Sequence, residues 1–160
     1  MPKLLRLCLA LAPLALVACG KSSSAPKVPA APVQKGIFIS VNDCAETGKL
    51  TGDECGKAID DALAMHEKQA KAYTTARQCE SGEGADRCDK TVDGKFRPRL
   101  QAFLVTMSKP PKAEPLYPTQ KKKKFVGFRS PTQPAIDASD EALTVSAAAM
   151  TIAHQNSALP

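Results

Sequence analysis

From Gly36 to Val41 the chain reads GIFISV, with Ile37, Ile39 and Val41 on one face of an extended segment and Phe38 on the other, which predicts a short edge strand. Beyond Leu50 the period changes. Ile59, Ala62, Leu63, His66, Ala70 and Tyr73 recur at the spacing of one helix face. Thr51 and Glu54 form the pattern in which two side chains cap each other's backbone N–H groups at a helix start. Thr75 and Gln78 repeat that pattern, so a second, shorter helix is expected to begin near Tyr73 and to break at the glycines of ESGEGADRC. In GKFRPRLQAFLVT the residues Phe96, Pro98, Leu100 and Ala102 share one side of an extended chain, and Pro98 restricts it to an edge or a bulge. PLYPTQKKKKFVGFRS then places two apolar pieces, Leu116 to Tyr117 and Phe125 to Phe128, around four lysines, the pattern of a small hairpin. After Ser130 no Lys or Arg occurs, and Ser139, Asp140 and Glu141 offer a start for a weak helix running towards His154.

Residues 1–18 have a different logic. Lys3 and Arg6 supply a positive start, Leu9 to Val17 an apolar core, and small residues close it, which is the make-up of a secretory signal and too short for a spanning helix. Leu16-Val17-Ala18-Cys19 resembles the lipobox of bacterial lipoproteins, in which the thiol is lipidated, the signal is cut and the cysteine becomes the first residue. That resemblance implies lipidation at Cys19 and, with Gly20 rather than an Asp following it, an outer-membrane destination; the periplasmic face is expected over the cell surface, though neither residue fixes it. Three acyl chains at about 0.8 kcal/mol per buried methylene would make the anchor almost permanent. The plain alternative is that Cys8 and Cys19 are ordinary apolar residues of a signal cut elsewhere. Residues 19–36, rich in Pro, Ala and Ser, read as a tether of roughly 3 Å per residue.

Composition limits the size of the module beyond the tether. With 4% aromatic residues, no Trp and thirteen prolines, the chain has material for one modest core. The expected fold is α+β: a small disulfide-stapled module over residues 37–130, built on one main helix or a bent helix pair with a few short strands, followed by a low-complexity tail over residues 131–160. Four cysteines remain after processing, Cys44, Cys55, Cys79 and Cys88, and an even number in an exported small module implies two disulfides with three possible pairings. Reach ranks them. A continuous helix from Cys55 to Cys79 rises about 36 Å, against about 5.5 Å between bridged Cα atoms, which disfavours the nested pairing. The crossed pairing asks Cys88 to return most of that length in an extended chain of roughly 3.3 Å per residue. Cys44 with Cys55 and Cys79 with Cys88 need no stretch, although a bend near Lys71 would reopen the crossed form.

Together the residues resemble a family. Asp43-Cys44, Glu54-Cys55, the Ala-rich helix, Ala70 with Tyr73, Cys79-Glu80, Gly84, Cys88, Phe96-x-Pro98-x-Leu100-x-Ala102-Phe103 and Pro115-Leu116-Tyr117 are similar to the YgiB-like family of bacterial lipoproteins, over roughly residues 38–118. Ala70-Lys71-Ala72-Tyr73 departs from the family's usual Ala-Pro-x-Tyr, so no proline enforces a helix break there. The resemblance implies an exported lipoprotein of no established activity, whose genes often neighbour an ATP-grasp enzyme similar to glutathionylspermidine synthase.

Candidate chemistry is sparse. The chain has two histidines, no metal-ligand spacing, no nucleophile elbow and no phosphate-binding glycine loop, so neither an enzyme nor a cofactor is expected. His66 and Tyr73 lie on the apolar stripe and read as packed side chains; Asp60 and Asp61, being adjacent, point apart, unlike a general acid/base pair. Charge is segregated instead: residues 43–88 hold ten acids and six bases, and residues 89–130 three acids and eleven bases. Lys121, Lys122, Lys123 and Lys124 suit an anionic surface, namely lipid headgroups or an acidic envelope protein, or else merely keep a hairpin tip soluble. Nucleic acid is not expected in that compartment. The functional expectation is a non-catalytic binding or structural component of the cell envelope, and the alternative is an accessory enzyme or partner of an ATP-grasp system. A concave pocket gathering His66 or several acids would mark the enzyme, and a flat or grooved surface near Phe103 and Tyr117 the adaptor.

Overall fold

The computed structural model describes residues 32–119 and 126–158. Strand β1 (Lys35–Phe38) is followed by a short helix α1 (Val41–Ala45), the main helix α2 (Gly52–Gln69) and helix α3 (Ala76–Glu83). Strands β2 (Cys88–Lys90), β3 (Phe96–Pro98), β4 (Ala102–Thr106), β5 (Lys112–Pro118), β6 (Val126–Arg129), β7 (Ile136–Asp137) and β8 (Leu143–Val145) come next, and helix α4 (Ala147–Ala158) closes the described chain. The fold is α+β. Six strands form one sheet in the order β7-β6-β5-β4-β1-β8, and β2 pairs with β3 in a separate ribbon. No helix among the described residues is long and apolar enough to cross a membrane.

Both helix starts follow the sequence pattern. The Thr51 hydroxyl accepts from the Glu54 N–H at 3.2 Å while the Thr51 N–H donates to the Glu54 carboxylate at 2.9 Å, and Thr75 caps α3 through the Gln78 N–H. The predicted hairpin is present as β5 and β6, with Tyr117 opposite Arg129 and Pro118 opposite Phe128. Three expectations are corrected. The first strand is interior, flanked by antiparallel β4 and parallel β8, because a partner arrives from a hundred residues away. The Phe96 to Thr106 run splits between two sheets: Pro98 ends β3, and Ala102 begins β4 beside β1 and β5. The segment after Ser130 is part of the fold: it contributes β7, β8 and α4, and the helix starts at Ala147 rather than near Ser139. The folded module therefore runs through residue 158, not 130.

Alternation along the strands gives the sheet two buried faces. Phe38, Phe103, Val105 and Ala113 meet Cys44, Cys55, Ala58, Ile59 and Ala62 of α1 and α2. On the other face Ile37, Ala102, Leu104, Leu116 and Phe128 meet Ala149 and Ala153 of α4. The second interface is close. A Cβ on Gly127 would lie 2.3 Å from the Ala153 Cα, so glycine is what lets α4 seat directly on β6.

The link from β7 to β8 determines the curvature of the sheet. These strands lie at opposite ends of the strand order, about 24 Å apart in a flat six-stranded sheet at ~4.8 Å per strand. Yet only residues 138–142 join them, and those form two successive turns, with the Asp140 N–H on the Asp137 carbonyl at 3.2 Å and the Leu143 N–H on the Asp140 carbonyl at 2.9 Å. Each such turn advances less than about 7 Å. The sheet must therefore curl until its two edges approach, with its concave side carrying α4.

Candidate functional site

The sequence nominated three groups of residues. Cys19 and Lys121 to Lys124 lie outside the described residues. The four module cysteines form two bridges, Cys44 to Cys55 and Cys79 to Cys88, with Cα separations of 6.1 and 6.2 Å. The first ties α1 to the opening turn of α2 and is fully buried in the core; the second ties α3 to the ribbon of β2 and β3.

His66, near the end of α2, is half-buried, and its Nδ1 lies 3.1 Å from the Tyr117 hydroxyl of β5. The Arg129 guanidinium stacks over the Tyr117 ring at 4.9 Å and pairs with Glu83, whose other carboxylate oxygen accepts from the Tyr73 hydroxyl at 2.8 Å. One chain of interactions thus joins α2, β5, β6 and α3. Burial, then the nearby Arg97 charge, holds His66 below its ordinary range. Burial lifts the Tyr117 hydroxyl to about 12, and burial followed by the Glu83 hydrogen bond raises Tyr73. At neutral pH a protonated Tyr117 therefore faces a neutral imidazole. Among the described residues no carboxylate orients His66 and no Ser, Thr or Cys nucleophile is hydrogen-bonded to it, so the geometry is that of a packed pair. Tyr73 differs from its expectation: α2 ends at Gln69 with Ala70 as its cap, and Tyr73 forms a bridge with Phe96 instead of a further turn.

Two of the hollows among the described residues bear on function. A crevice of about 220 Å³ at the start of α2 is lined by Asp53, Glu54, Asp61 and Lys57, with Pro111 opposite. Hydrogen bonds from the Thr51 backbone and hydroxyl hold the Glu54 carboxyl below its usual range, so it is a committed cap rather than a proton donor. Several acids thus meet in a hollow while His66 stands apart. Phe103 and Tyr117, proposed as landmarks of an adaptor surface, are instead buried.

The larger hollow, about 420 Å³, is the part of the concave sheet face that borders the start of β1 and the double turn. Leu104, Ile136 and Leu143 form its apolar lining, and Lys35, Asp137 and Asp140 its charged rim. Leu104 and Ile136 are almost wholly buried, so the lining is rigid. The rim carboxylates are placed by the turns: Asp137 Oδ1 accepts from the Ser139 N–H and hydroxyl at 2.9 and 2.7 Å, and Asp140 Oδ1 from the Ala142 N–H at 2.9 Å. Each keeps a second oxygen for which no partner exists among the described residues. The Lys35 ammonium likewise has none there; Lys35 is partly buried as a residue, and both aspartates are exposed. Sequence reasoning missed this site. Its local signal, the Asp-x-Ser-Asp run from Asp137 to Asp140, marks turns and says nothing of the strands they join.

Comparison with curated proteins and with solved structures finds no match. A family model does match, over residues 32–158, which takes in every described strand and helix including α4. The chain therefore belongs to the family described as protein of unknown function, DUF1190.

Proposed function

We propose that this protein is an exported, lipid-anchored component of the bacterial cell envelope that binds a partner without transforming it. The observation that carries the reading is the pair of disulfides closing loops of 11 and 9 residues. Such bridges persist in oxidising compartments and not in a reducing cytosol. The signal-like residues 1–18 and the lipobox-like Leu16-Val17-Ala18-Cys19 supply the route and the anchor, and Gly20 favours the outer membrane. The acids gathered at the start of α2 meet the criterion set for an enzyme, and the buried Phe103 and Tyr117 fail the one set for an adaptor; binding is favoured over catalysis because Glu54 is committed to its cap and the one half-buried histidine to Tyr117, while the larger hollow holds fixed charges. Lys121 to Lys124 stand in the sequence between two paired strands, where they suit contact with anionic headgroups.

The test is metabolic labelling with palmitate and fractionation of envelopes. The native chain is expected to take the label and to sediment with the outer membrane, and Cys19→Ala to stay unprocessed and unlabelled. A Cys19→Ala chain that is cleaved and fractionates as before overturns the anchor.

A further inference from the structure

We infer that the 420 Å³ hollow on the concave sheet face is a binding site for short apolar peptides with free ends, zwitterions whose ammonium meets Asp137 and Asp140 and whose carboxylate meets Lys35. The inference rests on the binding reading proposed for the protein and names the ligand class. Three observations converge on it. The volume falls within the roughly 300–1,000 Å³ of small-ligand sites. Its lining is mixed: Leu104, Ile136 and Leu143 contribute hydrocarbon beside a larger polar surface from the charged rim and Gln133, which suits a small ligand with an aliphatic side chain and polar ends. Its rim holds opposite charges on different elements, Lys35 on β1 and the two aspartates on the double turn, and each has bonding capacity unused among the described residues.

Charge selects the class. An apolar molecule without charge would leave Lys35, Asp137 and Asp140 unanswered, and so would gain nothing from the rim. An anion would answer Lys35 and be repelled by two carboxylates; a simple amine would do the reverse. A molecule with both charges on a small apolar frame answers all three groups, and a di- or tripeptide with free termini is the plainest such molecule. The backbone bonds already made by the aspartates hold their outer oxygens in place, so little is lost in ordering the rim when the ligand arrives.

The experiment uses the full chain in detergent micelles with labelled Ile, Leu and Val methyl groups. The probes are the dipeptide Ala-Leu, its N-acetyl form, its C-terminal amide, and the doubly capped form. At ordinary ligand efficiency Ala-Leu is expected to bind with Kd on the order of 1 mM. It should shift the methyl resonances of Val33, Leu104, Ile136 and Leu143 and leave Val105, on the opposite sheet face, unmoved. Acetylation and amidation should each weaken binding at least fivefold. In Lys35→Met the amide should bind as well as the free acid, and in the Asp137→Asn, Asp140→Asn double variant the acetyl form should bind as well as the free amine, with the Val105 methyls reporting that each variant is folded. No shift of the lining methyls at 10 mM Ala-Leu, or equal shifts from the capped forms on the native chain, overturns the inference. Either result leaves palmitate labelling and fractionation untouched, so failure of the ligand class and failure of the envelope reading are separable.

Discussion

Replacing Gly127 with alanine tests whether the last helix belongs to the core. An added Cβ would meet the Ala153 Cα at 2.3 Å, its Cβ at 2.5 Å and its carbonyl oxygen at 2.8 Å. Ordinary van der Waals separation begins near 3.4 Å, so α4 has to lift from β6 by about 1 Å, and the nearest atoms are helix backbone that cannot rotate away. Overpacking of this kind costs about 1–3 kcal/mol. The lift also loosens the bond from Asn156 Nδ2 to the Gly127 carbonyl, 2.9 Å in the native fold, which adds about 1 kcal/mol. The sum, about 3 kcal/mol, is a large part of the stability of a domain this size and corresponds to a fall in Tm of about 10 °C. Guanidinium denaturation of the oxidised protein, followed by helix circular dichroism, measures it as a lower midpoint at unchanged slope. Two companions sharpen the result. Ala153→Gly in the Gly127→Ala background should restore less than half the loss, because the clash with the helix backbone at position 153 remains. Gly56→Ala, inside α2 with open space around it, should have the opposite sign and stabilise by about 0.5–1 kcal/mol. A Gly127→Ala protein within 0.5 kcal/mol of the native one would refute the seating of α4 on β6.

Three further outcomes are expected. Removing either bridge, as Cys44→Ala with Cys55→Ala or Cys79→Ala with Cys88→Ala, should cost about 2.5–3 kcal/mol by loop closure over 11 or 9 residues, read by the same denaturation; a loss under 1 kcal/mol for both would refute the stapling argument. The folded-state pKa of His66 is depressed, so its contribution to stability is present above the unfolded value of about 6.5 and is lost as pH falls through the folded value; an imidazole NMR titration with a midpoint at or above 6.5 would contradict its burial. For the lysines, a soluble chain beginning at Ser22 should bind anionic vesicles at low salt and release at 1 M, where the Debye length is about 3 Å, and changing Lys121 to Lys124 to Gln should remove most of the binding; equal binding by the Gln variant returns them to a solubilising role.

Local chemistry was legible and long-range pairing was not. Thr51 with Glu54 and Thr75 with Gln78 marked helix starts because a cap is settled within four residues. Reach along the chain ranked the observed bridges first, although α2 breaks after Gln69, where a bend leaves the crossed form within reach. The end of α2 was not legible: Tyr73 continues the helical spacing, but its N–H and carbonyl bond Phe96, twenty-three residues on, at 2.8 and 2.9 Å. The interior place of β1 was hidden for the same reason, since Gly36 looks like an edge until Thr144 is known to lie beside it. In α4 the sequence Ala-Ala-Ala-Met-Thr-Ile-Ala-His carries no amphipathic signal, because small residues line its buried side and its outer side alike. Its role comes from fit: Ala149 and Ala153 are small enough to let backbone meet backbone over Gly127.

The candidate site shows how a short link governs both architecture and chemistry. Five residues between β7 and β8 cannot cross a flat sheet, and their two turns draw the sheet edges together. Because α4 fills only part of the concavity this creates, a hollow remains beside the start of β1. The side chains that stabilise the turns, Asp137 on Ser139 and Asp140 on Ala142, are the ones that charge its rim. Asp137→Asn and Asp140→Asn are therefore the informative substitutions: an amide oxygen can still accept the turn bond, so shape persists while charge is lost. A change in ligand preference in that variant, with the fold intact, isolates the electrostatics of the rim from the curvature that the same residues maintain.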